Sequence, residues 1–156
     1  IDIYGGFAKS FGPITFDVGV IEYRYPGSNK PATPNNFLEY YGKLKFAPDK
    51  APYSIQLAYY KDDTEGQNFS ATEKGRGENY QEISGSYNFP AFTVAASYGE
   101  YKNETDTTTL TISKSMFDLN FSASYIDADR VSTSTSAANT TNSNKEFFVV
   151  NVSKTF

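Results

Sequence analysis

Four residues at alternate positions, Glu39, Tyr41, Lys43 and Lys45, carry a carboxylate, a phenol and two ammonium groups. They interleave with Leu38, Tyr40, Gly42, Leu44 and Phe46. In a strand, period-two alternation sends these two sets to opposite faces. Asp17 on the preceding segment and Gln56 on the following one extend the polar set. Mixed charge along the wall of an aqueous passage sets an ion preference and a transverse field. The same groups could instead fill a narrow barrel, with Glu39 and Lys43 as partners in a cross-strand salt-bridge network. Lumen radius decides between the two readings, and strand number sets that radius.

Other chemistry is sparse. The chain of 156 residues has 13 Tyr and 13 Phe but no Trp, no Cys and no His. Without Cys there is no disulfide framework and no thiolate; without His the commonest general base and transition-metal ligand are missing. No Ser-based triad forms without His unless Lys substitutes, so no enzyme, cofactor or metal site is expected. Asp62, Asp63 and Glu65 in "DDTEGQNFSATEKGRGE" (62–78) could meet a calcium ion, but the spaced D-x-D-x-D-G pattern is absent. "EKGRG" (73–77) is too short for a phosphate-cradling loop and has no helix to follow it. A formal charge of −4 and a pI near 4.8 disfavour nucleic acid. Mean hydropathy is −0.52, no apolar run approaches the ~20 residues of a membrane helix, and "IDIYGGF" has no basic leader or apolar h-region.

The elements that position the polar row are strands. Alternation rich in Val, Ile, Thr, Tyr and Phe predicts nine, at 1–10, 14–25, 37–46, 53–61, 80–89, 92–101, 107–115, 119–127 and 146–156. Short connections fall at 11–13, 47–52, 90–91 and 115–118. Long polar ones fall at 26–36, 62–78, 102–106 and 127–144, the last a low-complexity segment expected to be a mobile surface loop. The candidate polar face comprises Asp17, Glu39, Tyr41, Lys43, Lys45, Gln56, Glu82, Ser84, Thr109, Thr111, Asn120, Ser122 and Asn151. From Ile14 onward the opposite face of successive segments is mainly apolar.

A soluble two-sheet sandwich also alternates apolar and polar residues. Long connections confined to one end favour an outer-membrane barrel, which pairs tight periplasmic turns with larger external loops. Charges that interrupt the apolar face (Glu22, Arg24, Glu100, Lys114, Lys154) lie near strand ends, where a membrane rim tolerates them. Tyr40, Tyr53, Tyr59, Tyr87, Tyr98 and Tyr125 also lie toward strand ends, as an aromatic girdle requires. The expected fold is therefore all-β: a single antiparallel, up-and-down transmembrane barrel domain.

Strand parity adds a further expectation. With the short turns periplasmic, both the first and the last strand descend, whereas a bacterial barrel has an even strand number and both termini periplasmic. Strands missing from the N-terminal side would restore the parity. The closing "FFVVNVSKTF" places Phe148, Val150, Val152 and Phe156 on the apolar face. A terminal Phe on such a strand resembles the signal read by outer-membrane assembly machinery.

The stretch "DIYGGFAKSFGPITFDVGVIEYRYPGS" (2–28) resembles the TorF-type porin family of outer-membrane proteins. That family shares an aromatic-glycine strand, the "FDVGVIEYRYPG" block, an "EYYG"-like strand (39–42) and a terminal "SKTF". Asp17, Gly19, Tyr23, Tyr25, Pro26 and Gly27 match the block and read best as strand and turn residues. The resemblance implies about three further strands upstream, a barrel of about 12, and no catalytic residues. The expected function is passive diffusion of small hydrophilic solutes or ions across a bacterial outer membrane. The alternative barrel function is non-transporting, with a side-chain-filled lumen and a structural, adhesive or assembly role. A soluble binding module is the third possibility. The expected partners are outer-membrane lipid or detergent, the assembly machinery and small solutes.

Overall fold

The computed structural model of the chain describes residues 1–24, 36–62, 79–101, 105–130 and 144–154. Nine strands make up its regular structure: β1 (Asp2–Phe11), β2 (Ile14–Tyr23), β3 (Phe37–Phe46), β4 (Tyr53–Asp62), β5 (Tyr80–Asn88), β6 (Thr93–Tyr101), β7 (Thr105–Met116), β8 (Leu119–Arg130) and β9 (Asn144–Ser153). They form one sheet in sequence order, every neighbouring pair antiparallel. Each strand contacts only its immediate neighbours, so β1 and β9 are free edges and the sheet is not closed. A sandwich needs a second packed sheet, and the described residues provide none.

The short connections explain the register. Gly12 has φ +57° and is followed by Pro13, the φ signs of a two-residue II′ hairpin with Gly at its first central position. Phe117 and Asp118 have φ of +55° and +56°, the I′ pattern whose twist suits flanking strands. The β3–β4 turn is closed by Ala51 N–H donating to Pro48 O (3.1 Å), and Phe89 N–H donates to Phe92 O (2.8 Å) across the β5–β6 turn.

Three expectations change. β7 and β8 are longer than alternation suggested, because Thr105 and Asp106 pair with Arg130 and Asp129. These polar residues carry no apolar period to read. The β6–β7 connection consequently shrinks to residues 102–104, so not every second connection is long. β2 ends at Tyr23, and Tyr25, Pro26 and Gly27 lie outside the described residues, as do 63–78, 131–143 and Phe156.

Almost nothing in this sheet is a core. Among the described residues Ala58 is the one buried hydrophobic residue, while Val18, Leu57 and Ile83 are 53%, 50% and 51% exposed. A water-soluble sheet of this size hides an apolar face against another layer; here that face is bare.

Candidate functional site

Register sorts the side chains without ambiguity. Asp17 faces Lys43, Lys45 faces Gln56, Gln56 faces Ser84, Ser122 faces Asn151. Glu39, Tyr41, Glu82, Thr109, Thr111 and Asn120 fall on the same alternate positions. All thirteen residues picked from sequence therefore share one face. Phe148, Val150 and Val152 lie on the other, 73%, 67% and 52% exposed.

The polar face is the more sheltered one. Asp17, Glu39, Tyr41, Lys43, Gln56 and Glu82 are half-buried, whereas their apolar strand neighbours Phe16, Val18, Tyr40, Leu57 and Ile83 are exposed. It divides laterally. Strands β2–β5 carry the ionic groups. Strands β6–β8 carry Ser97, Thr109, Thr111, Ser122 and Ser124, where the Thr111 and Ser124 hydroxyls meet at 2.8 Å; a second hydroxyl pair, Ser54–Ser86 (3.0 Å), joins β4 to β5. Between the two zones lies an open hollow of about 310 Å³ lined by Lys45, Gln56, Glu82, Ser84, Ser97 and Thr111.

Aromatic partners stand beside Glu39 and Lys43, for which a cross-strand salt-bridge network was one of the two readings. Tyr23 Oη donates to Glu39 at 3.3 Å. Lys43 Nζ lies 4.7 Å from the Tyr41 ring centroid and 5.5 Å from that of Tyr60, within cation–π range. Tyr41, Tyr60, Tyr80 and Tyr101 are direct cross-strand partners on β3, β4, β5 and β6. Their ring centroids are spaced 5.9, 5.7 and 4.6 Å apart. Sequence reading found Tyr41 alone of this row; the other three are separated from it by loops of unequal length, so only register aligns them. Tyr80 Oη donates to Glu82 at 2.9 Å.

Glycines seat two of these rings. A Cβ on Gly19 would stand 2.5 Å from Tyr41 Oη and 2.6 Å from its Cζ, and one on Gly6 2.7 Å from the same Oη. On Gly99 it would meet the Tyr80 hydroxyl and lie 2.6 Å from Cζ. None of the three positions can carry a Cβ without displacing a ring or the facing backbone.

The apolar face carries its own open hollow, of about 580 Å³, lined by Phe16, Val18, Leu44, Leu57, Tyr59 and Ile83. Its six predicted girdle tyrosines are all exposed there, at 41–54%. At the end of the sheet bearing the 131–143 connection it turns acidic, through Glu100, Asp106, Asp127, Asp129 and Glu146. At the same end of β2, Arg24 donates to Glu22 through Nε (2.7 Å) and Nη2 (3.0 Å); that hydrogen bond holds the exposed guanidinium pKa above its ordinary value. Lys9, between Phe7 and Phe11, is an interruption the sequence reading did not single out. Among the described residues no cluster of three or more His, Cys, Asp or Glu could hold a metal ion.

Neither the curated proteins nor the solved structures offer a match to this chain. A family profile does match, over residues 1–156, and its description is a bacterial protein of unknown function. The chain belongs to that bacterial family, Gcw_chp.

Proposed function

We propose that this protein is an outer-membrane β-barrel whose polar face lines a passage for small hydrophilic solutes or ions. One observation carries the reading: through the middle of the sheet the apolar face is exposed, at Phe16, Val18, Leu57, Ile83, Leu110 and Ile112, while Asp17, Lys43, Gln56, Glu82, Ser84 and Thr111 on the polar face are half-buried. Burying a Val, Leu, Ile or Phe side chain is worth ~1.5–3 kcal/mol, and a bilayer would supply that burial where no second layer does.

The dimensions agree. A strand of 10 residues is roughly 34 Å long, and tilted by ~40° it rises roughly 26 Å, close to the ~25 Å apolar band of outer-membrane barrels. β1 and β9 run in the same direction, since eight antiparallel pairings separate them. An antiparallel seam therefore takes an odd number of additional strands; the twelve-stranded barrel implied by the TorF resemblance adds three. Twelve strands at that tilt enclose a backbone radius of about 12 Å. The short side chains of β6–β8 leave part of such a lumen open, which favours a passage over a side-chain-filled barrel.

Planar-bilayer recording on the purified full-length protein tests the proposal. Discrete conductance steps are expected. Folded, membrane-inserted protein that gives no steps would leave a non-transporting barrel, and a protein that stays folded and monodisperse without detergent would overturn both.

A further inference from the structure

We infer that the row Tyr41–Tyr60–Tyr80–Tyr101 is a binding track for a neutral polyhydroxyl chain, an oligosaccharide, laid along the lumen wall. The inference rests on the channel reading and names the solute class that its wall would select.

Three features carry it. First, two rings of the row are seated on glycine: Tyr41 over Gly19 and Gly6, Tyr80 over Gly99. A side chain at any of these glycines would push a ring from its place on the polar face, so the row's position is fixed by backbone. Second, direct partners run perpendicular to the strands, so in a barrel with tilted strands the row winds around the wall while climbing it. Three strand spacings of ~4.8 Å cover roughly 14 Å, of which roughly 9 Å is axial at a ~40° tilt. Successive centroids 4.6–5.9 Å apart offer a stacking surface about every sugar ring. Third, the row has both a donor and an acceptor beside it. The Lys43 ammonium stands over Tyr41, and Glu82 is held beside Tyr80 at 2.9 Å.

Sugars present C–H faces to aromatic rings and hydroxyls, each donor and acceptor, at their edges. Charged solutes suit the site less well. The Lys43 ammonium beside Tyr41 and Tyr60 repels a cation, while Asp17, Glu39 and Glu82 on the same face oppose an anion. Bracing of the wall alone would need the rings but not their lumen faces, and that difference can be measured.

Isothermal titration of the full-length protein in detergent micelles with maltohexaose and with cellohexaose provides the test. Saturable binding of at least one is expected. Tyr60→Leu keeps an apolar side chain and removes one stacking face, and should weaken binding about two- to tenfold. Tyr60→Phe should stay within about twofold, and Tyr59→Leu on the opposite face should change nothing. If Tyr60→Leu does not show the heat-shifted electrophoretic mobility of a folded barrel, Tyr101→Leu at the exposed end of the row replaces it. Absence of saturable binding to both sugars, equal losses in Tyr60→Leu and Tyr59→Leu, or binding of tetraethylammonium in place of sugar would each overturn the inference. Conductance recorded on the same preparation separates the two proposals. Steps without sugar binding sink the track alone, and sugar binding without steps sinks the channel alone.

Discussion

Replacing Leu57 by Arg tests the membrane reading where it is most exposed to failure. Leu57 is the fifth of ten residues in β4 and 50% exposed on the apolar face, flanked by Leu44 and Ile83. Tyr53, at the end of the same strand and on the same face, lies four residues away, roughly 10 Å along the normal at a ~40° tilt. If this face meets hydrocarbon, Leu57→Arg costs ~2–4 kcal/mol, a ~30- to 1,000-fold change in the folding equilibrium, while Tyr53→Arg costs ~0–1 kcal/mol. Gln56→Arg, adjacent in sequence but on the polar face, costs under ~1 kcal/mol. In a sheet whose apolar face met water, all three would fall within ~0.5 kcal/mol of wild type. Urea titration of the full-length protein in phosphatidylcholine vesicles, followed by tyrosine fluorescence and electrophoretic mobility, gives the three values. A Leu57→Arg cost no greater than that of Tyr53→Arg would refute the reasoning.

The remaining predictions are local. Gly19→Ala, whose new methyl would meet the Tyr41 phenol and lie 2.6 Å from Gly5 O, should destabilise by ~1–3 kcal/mol, whereas Gly42→Ala, with nothing within 4 Å, should be neutral or gain ~0.5 kcal/mol; chemical denaturation of both compares them. Phe117 and Asp118, both at positive φ in a two-residue turn, should accept Asn-Gly with a gain of ~1 kcal/mol, since those residues adopt the I′ geometry with less strain; a higher urea midpoint checks this. Lys45→Glu reverses a charge in the lateral hollow of the polar face and should shift the permeability ratio toward cations, read as the reversal potential in a salt gradient.

Much of the fold was legible because alternation is a local property. The apolar stripes Ile14, Phe16, Val18, Val20 and Tyr53, Ile55, Leu57, Tyr59 need no knowledge of their neighbours to be read as strand faces. The upper ends of β7 and β8 were not legible, because Thr105, Asp106 and Asp129 are held in strand by each other across the ladder. The same limit governed the site. Asp17, Glu39, Lys43 and Gln56 were recognisable one strand at a time. The Glu39–Tyr23 and Lys43–Tyr60 partnerships depend on side-chain reach between strands.

The sequence by itself determined the all-β class, the nine strand segments, the hairpins across the short turns and which residues of each strand share a face. A period of two is written residue by residue, and each short turn pairs the two strands it joins. Register aligned Tyr41, Tyr60, Tyr80 and Tyr101 into one row, set Gly6, Gly19 and Gly99 beneath two of its rings and left a single sheet with its apolar face bare. Those features belong to the tertiary structure, because each depends on which residue of one strand stands opposite which residue of the next, and loops of unequal length hide that pairing from the linear chain.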